Sequence, residues 1–231
     1  MKKNLLAVAV LSSLSLSAFA GGYQAGDIVV RGGLINITPD SAESTIYAGG
    51  APVDIGLGQL KASVEDDTQV SLNLVYFFDS NWAVELLAAT PFSHDITVNL
   101  GNGTTTNLGE TKHLPPTLSA LYYFDTNSNF KPYVGAGINY TFFFEDDFNP
   151  AMQGPDSALD LSDLNLENSW GLSAQVGADY YLDENWSINA SIRYIDIDTT
   201  AKFKALGGAA DGFVDVSVDP IVYSLQVGYK F

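Results

Sequence analysis

The last eleven residues, Ile221 to Phe231, read IVYSLQVGYKF, with Ile221, Tyr223, Leu225, Val227, Tyr229 and Phe231 alternating against Val222, Ser224, Gln226, Gly228 and Lys230. A period of two is a strand, apolar or aromatic on one face and mainly small or polar on the other. On a soluble sheet an edge this long and greasy invites aggregation. In a closed transmembrane barrel the same strand turns its apolar face to lipid and its polar face to the lumen. The stretch therefore predicts an outer-membrane barrel, with Phe231 and Tyr229 at an interface.

The start of the chain points the same way. Met1-Lys2-Lys3, the apolar run Leu5 to Leu11, and Ala18-Phe19-Ala20 before Gly21 make a basic, an apolar and a small-residue region in the order of a cleaved secretory signal. We read residues 1–20 as signal peptide and residues 21–231 as one barrel domain. A retained anchor needs about 20 apolar residues, and Ser12 and Ser13 interrupt this run. After it no apolar run reaches helical spanning length, so a membrane can be crossed only by strands. Mean hydropathy of +0.09 fits strands of which only alternate residues meet lipid. Removing residues 1–20 takes away Lys2 and Lys3 and no acid, so the formal charge goes from −17 to −19. So acidic a chain repels a phosphate backbone, which excludes nucleic acid as a partner. With no cysteine there is neither a disulfide framework nor a thiolate metal site.

Three short turns repeat: Tyr76 to Trp82 (YFFDSNW), Tyr122 to Phe130 (YYFDTNSNF) and Tyr180 to Trp186 (YYLDENW). Each sets an Asp/Asn turn between aromatics, the mark of a tight hairpin. Their spacing of about 45 to 60 residues would also suit propeller blades or a solenoid, but only the turn repeats. Alternation outward from the turns, with a first strand near Asp27 to Ile37 and the closing strand, predicts an all-β, eight-stranded antiparallel barrel. Its short turns are periplasmic and its long loops extracellular. Eight strands leave an interior that side chains fill or that holds one small ligand.

Within the alternation Val214, Val216 and Val218 conflict with the outward face of Ile221 to Phe231, and Pro220 lies between. Either a bulge resets the phase, or the upper strand stands above the membrane with its apolar residues turned inward. Four longer connections run about 39–66, 92–114, 145–168 and 199–212. The third carries seven acids and no Lys or Arg, and Leu159, Leu161, Leu164 and Leu166 allow a short helical turn.

Inward parity places Arg31, Glu85 and Arg193 in the lumen, Glu85 and Arg193 at comparable depth. Buried charges pair or stay hydrated, so these make either a plug or a gate. For enzymatic chemistry there is little: no G-x-S-x-G elbow, no third glycine after Gly135-x-Gly137, and only His94 and His113 as neutral-pH bases. We assign no catalytic residue, no cofactor and no metal site. The acidic third loop, or Asp196 with Asp198, is the one place where oxygen ligands gather for a hard cation.

The segments Val84 to Phe92 (VELLAATPF), His113 to Thr117 (HLPPT), Lys131 to Tyr140 (KPYVGAGINY) and Tyr194 to Thr200 (YIDIDTT) resemble the OmpW family of small outer-membrane proteins. The resemblance implies an eight-stranded barrel with a narrow, largely hydrophobic lumen that passes or binds small hydrophobic molecules, with lateral exit through the wall as one route. A conduit of that kind needs an apolar funnel starting above the lipopolysaccharide layer. The candidates are Leu87 and Leu121 in the barrel, with Ile46, Tyr47, Leu57, Leu60, Phe92, Leu114 and Phe143 at the mouth. The same side chains would equally serve as an ordinary packed core. The expected partners are the bilayer with its lipopolysaccharide, small hydrophobic solutes, and the assembly machinery. In outer-membrane barrels generally that machinery reads a C-terminal aromatic strand such as Tyr229 and Phe231. The rival reading is a plugged structural or adhesion barrel, a surface receptor without transport.

Overall fold

The computed structural model describes residues 22–39, 43–54, 58–99, 104–157 and 159–231. The expected signal peptide, residues 1–20, and the predicted mouth residue Leu57 lie outside them.

Eight strands close into an antiparallel ring: β1 (Ile28–Thr38), β2 (Asp67–Phe77), β3 (Trp82–Ala89), β4 (Thr117–Tyr123), β5 (Phe130–Phe148), β6 (Ser169–Tyr181), β7 (Trp186–Ile195) and β8 (Ile221–Lys230). Neighbours in sequence pair in space, and β1 closes on β8, with Val29 opposite Lys230 and Thr38 opposite Ile221. Closure leaves no free edge among the ring strands, so every ladder group is satisfied within the bilayer. No helix among the described residues is long and apolar enough to cross a membrane; the strands do it.

The outward residues are those the alternation predicts. Val70, Leu72 and Leu74 on β2, Trp170, Leu172 and Val176 on β6, and Tyr223, Leu225 and Val227 on β8 are all exposed. In water such a surface would be an aggregation hazard; here it is the lipid-facing band. Aromatics gather at its lower rim, where Tyr76 meets Phe78, Trp82 meets Tyr122, and Trp186, Tyr229 and Phe231 pack edge to face in series. Two of the repeated turns share one mechanism. Asp79 accepts from the amides of Asn81 and Trp82 at 2.8 and 2.7 Å, and Asp183 from those of Asn185 and Trp186 at 2.9 and 2.8 Å. These bonds hold both carboxyls below the usual carboxylate range.

Above the membrane the expected loops are mostly strands. Lys61–Val64, Phe92–Asn99, Thr105–Leu114 and the upper half of β5 form one sheet. Ser162–Leu166, Asp198–Ala205 and Ala210–Ser217 form a second sheet opposite it. The helical turn expected around Leu159 to Leu166 is instead the strand Ser162–Leu166, because Leu164 and Leu166 alternate with Asp163 and Asn165 and pair beside Asp198–Ala205. A 3-10 turn lies earlier, at Pro150–Met152, where the Asn149 side chain caps the Ala151 amide at 3.0 Å.

No bulge is needed near Pro220. Val214 and Val218 point inward, as do Val222, Gln226 and Gly228, so one parity runs through the break. What changes at the membrane boundary is chemistry: below it the inward face is polar and the outward face greasy, and above it the two exchange. Two of the third loop's acids find cations on neighbouring strands, Lys112 bonding Glu145 at 2.5 Å and Lys202 bonding Glu167.

Candidate functional site

The barrel interior is stacked in layers. Lowest is an aromatic floor of Tyr23, Phe77, Tyr123, Tyr133 and Tyr181 with Val29, Val75, Ala83 and Leu121. Tyr23, N-terminal to β1, tucks in from below and stacks on Phe77 at 3.8 Å between centroids. Tyr133 lies against Gly177, where even a Cβ would come within 2.5 Å of the ring.

On this floor sits a charged layer. Arg31 donates from Nη1 to Glu85 Oε2 at 3.0 Å and from Nη2 to Asp179 Oδ2 at 2.7 Å and to the Tyr123 hydroxyl. Arg193 donates to the other Glu85 oxygen and, at 2.7 Å, to Gln175 Oε1, while Gln175 Nε2 closes back on Glu85 at 3.0 Å. Asp179 also accepts from Asn189 at 2.8 Å and from the hydroxyls of Tyr23 and Tyr123 at 2.5 and 3.1 Å. Gln226 of β8 donates across the lumen to Ser71 and Asn73 of β2 at 2.8 Å each. With the Tyr133 hydroxyl of β5 accepting from Asn189 at 3.1 Å, every ring strand contributes a polar group at or next to this level. Two guanidinium and two carboxylate groups cancel, and none of the four side chains is more than 4% exposed. Low dielectric makes such pairs strong once formed and costly to break.

Sequence parity found Arg31, Glu85 and Arg193, and the structure joins all three. It missed the role of Asp179, whose inward position on β6 was legible but whose partners come from distant strands. Without Asp179 the layer would carry a net positive charge.

Above the charges the lining turns apolar. Ile35, Ile37, Leu87, Phe92, Ile195, Ile197, Val218 and Val222 make a collar, with Phe143 packed against it. Over this collar lies a cavity of about 60 Å³ between the two extracellular sheets, walled by Ala62, Ile96, Leu108, Phe148, Leu166, Ala201, Phe203 and Val216 among others. It shares Leu108, Phe148 and Phe203 with a wider cleft of about 660 Å³ nearer the mouth, lined also by Ile46, Leu60, Val98 and Leu161.

Of the predicted path residues, Leu87, Phe92 and Phe143 sit in or against the collar and Leu60 and Ile46 at the mouth. Leu121 is in the aromatic floor, cut off from Leu87 by the charged layer, so the two do not share one path. Leu114 pairs opposite the outward Phe142 and is outside the cavity lining, because Pro115 and Pro116 end its strand at the wall. Tyr47 stacks on the exposed Phe213 at 5.0 Å, on the outer surface.

Between collar and cavity three rings stack, Phe92, His94 and His113, the two imidazoles 4.9 Å apart and nearly parallel, with Phe143 tilted against His113. Burial lowers the basicity of both, and the neighbouring His94 adds to the effect on His113, which falls to about 3. Folded imidazoles therefore stay neutral where unfolded ones, near 6.5, take up protons. Stability is complete above about pH 6.5 and declines as pH falls toward 3. Between pH 6.5 and 5 His113 alone should remove on the order of 2 kcal/mol. Thermal unfolding of the reconstituted protein, compared with His113→Phe, checks this: the variant's profile should be flatter over that range.

Among the described residues no group of three or more His, Asp or Glu is disposed to hold a metal ion. Asp198 accepts from Ser217, and Asp146 accepts from Thr111 at 2.6 Å and from the Leu166 amide at 2.9 Å.

Comparison with known proteins places this architecture. A model described as the OmpW family matches residues 24–231. "Outer membrane protein W" of Vibrio cholerae is 44% identical over 234 residues, covering all of both chains. The crystal structure of the outer membrane protein OprG from Pseudomonas aeruginosa superposes with a TM-score of 0.80 at 41% identity, covering 91% of this chain and 98% of that one. A more distant relative, the "Dibenzothiophene metabolism operon protein PahQ" of Pseudomonas aeruginosa, is 26% identical over 203 residues, 87% of each chain. The charged layer and the apolar chamber above it thus belong to an outer-membrane barrel whose band faces the lipid bilayer.

Proposed function

The chain belongs to the OmpW family, and from that footing we propose that it is a passive conduit admitting small hydrophobic molecules from the cell surface into the outer membrane. The observation that carries this reading is the mainly apolar lining that runs from Ile46 and Leu60 at the mouth, past Leu108 and Phe203, to Phe143, with the packed collar of Phe92 and Leu87 beneath it. For an oily solute the barrier is the hydrated, charged lipopolysaccharide surface, and an apolar chamber standing above that layer bypasses it. Transfer down such a chamber gains about 25 cal/mol per Å² of apolar surface removed from water, without needing a tight site.

The exit follows from the floor. An apolar molecule at Leu87 meets four paired charges and, below them, packed tyrosines, so continuing down the axis would mean desolvating or breaking that layer. The wall beside Leu87 is less continuous: β3 ends at Ala89, and Thr90-Pro91 and Pro115-Pro116 interrupt the ladder where the extracellular sheet begins. Proline supplies no ladder donor. The solute therefore leaves sideways into lipid. A relative named for the metabolism of dibenzothiophene, an apolar tricycle, agrees with the solute class. The sealed floor is also what a receptor barrel without transport would have, and it is the observation that favours that rival.

Uptake of n-dodecane by cells with and without the protein tests the proposal. Faster uptake with it is expected; equal uptake leaves the receptor reading. A separate expectation concerns assembly. Phe231 packs on Tyr229 at 4.8 Å and its amide bonds Ile28 at 2.9 Å, closing the seam between first and last strands. Deleting Phe231 should lower the amount of barrel inserted, read as the heat-modifiable band on unheated gels, before any change in transport per molecule.

A further inference from the structure

Two histidines are out of place in a purely hydrocarbon conduit. His94 and His113 line the cavity above the collar, both are at least 97% buried, and Nε2 of each has no hydrogen-bond partner among the described residues. Leaving a buried polar atom unpaired costs roughly 1–3 kcal/mol, and phenylalanine would fill the same stack without that cost. An orphaned pair beside an apolar cavity is therefore a pair whose partner arrives from outside.

The chemistry of that partner can be read from the tautomer. His94 Nδ1 lies 2.6 Å from the Glu65 carbonyl, which only accepts, so Nδ1 carries the proton and Nε2 presents a bare lone pair to the cavity. It requires a donor. A carboxylate has no proton to offer, and Asp66 and Asp67, the acids acting on His94, make an anion still less welcome. An ammonium group would bring an unpaired charge into an apolar chamber. A neutral hydroxyl meets the need: it donates to His94 and keeps lone pairs free to accept from His113 in its Nε2–H form.

We infer that the His94–His113 pair is a head-group site for an apolar molecule bearing a single neutral hydroxyl, a long-chain alcohol or a phenol, whose hydrocarbon part runs past Leu108, Phe148 and Phe203 into the wider cleft. This rests on the conduit reading and narrows it: the chamber takes plain hydrocarbons, but holds their hydroxylated counterparts better. The basicity of His94, lowered by burial, keeps its Nε2 an unprotonated acceptor at neutral pH.

The test compares 1-dodecanol with n-dodecane. In the parent the protein-dependent uptake of dodecanol should exceed that of dodecane, after correction for passive entry, by roughly five- to tenfold, the value of one net hydrogen bond. His94→Phe, which keeps the ring stack, should bring the ratio near one. Equal ratios in parent and variant overturn the head-group site while leaving the conduit standing. Absence of protein-dependent uptake for both solutes removes the conduit reading itself, and the site with it. A measurement on the unmodified protein guards against a variant that fails to fold. In lipid nanodiscs, the ¹⁵N resonance of the unprotonated His94 Nε2 should move when dodecanol is added and stay put with dodecane. An unmoved resonance under dodecanol overturns the inference.

Discussion

Replacing Arg31 with methionine is expected to cost about 3–5 kcal/mol of barrel stability, the penalty for leaving buried charge without its partner. Arg31 is fully buried and bridges the two carboxylates of the layer, bonding Glu85 on one side and Asp179 on the other. Its removal leaves Glu85 with Arg193 and the Gln175 amide, and Asp179 held only by Asn189 and two tyrosine hydroxyls. Urea unfolding of the protein refolded into vesicles measures the loss. Adding Asp179→Asn to Arg31→Met restores charge balance and should recover most of it, since a matched neutral set is far less costly than a lone buried ion. A cost below about 1 kcal/mol for the single variant would mean that the layer is hydrated and does not seal the lumen. The same layer decides between plug and gate. Glu85→Gln keeps the shape but weakens the tie to Arg193; a changed single-channel conductance supports a gate, and an unchanged trace leaves a plug.

How much of this was legible beforehand depends on which forces were local. Period-two alternation places Val70, Leu72 and Leu74 outward and Ser71 and Asn73 inward with no tertiary information, because the pleat does it. The repeated Asp/Asn turns work through bonds spanning two or three residues, so they too could be read directly. The third connection was different. Its leucines admit a helical or an extended reading, and the choice came from the strand Asp198–Ala205 far along the chain. Leu121 and Leu87 share a parity, so the sequence put them on one path; their separation by Glu85 and its partners is a matter of depth and cross-lumen pairing. Asp179 shows the same limit, since its inward parity was plain but its four partners lie on other strands or before the first. The valines near Pro220 were misleading only while one rule covered the whole strand. Lipid reverses the usual inside-out chemistry, and a strand that leaves the bilayer reverses it again.

That reversal places the most discriminating substitution above the membrane. Val216 faces the cavity wall, while its neighbour Asp215 is exposed on the outer surface of the same strand. Val216→Arg puts a charge into a chamber whose lining is almost wholly apolar, either filling the space of about 60 Å³ or drawing water into it. An apolar solute must then displace that water or desolvate the guanidinium, at a few kcal/mol, so protein-dependent dodecane uptake should fall at least about tenfold. Asp215→Arg makes the same residue one position away on the outside, giving up its bond to Thr200, and should leave uptake near the parent level. Leu87→Arg sets the charge two residues above Glu85, at the foot of the collar, and should block passage as fully as Val216→Arg if solutes descend that far before leaving through the wall. If Val216→Arg blocks and Leu87→Arg does not, solutes leave higher up, above the collar. If all three variants take up dodecane as the parent does, the chamber is a packed extracellular core, and the barrel's work lies in what its outer surface binds.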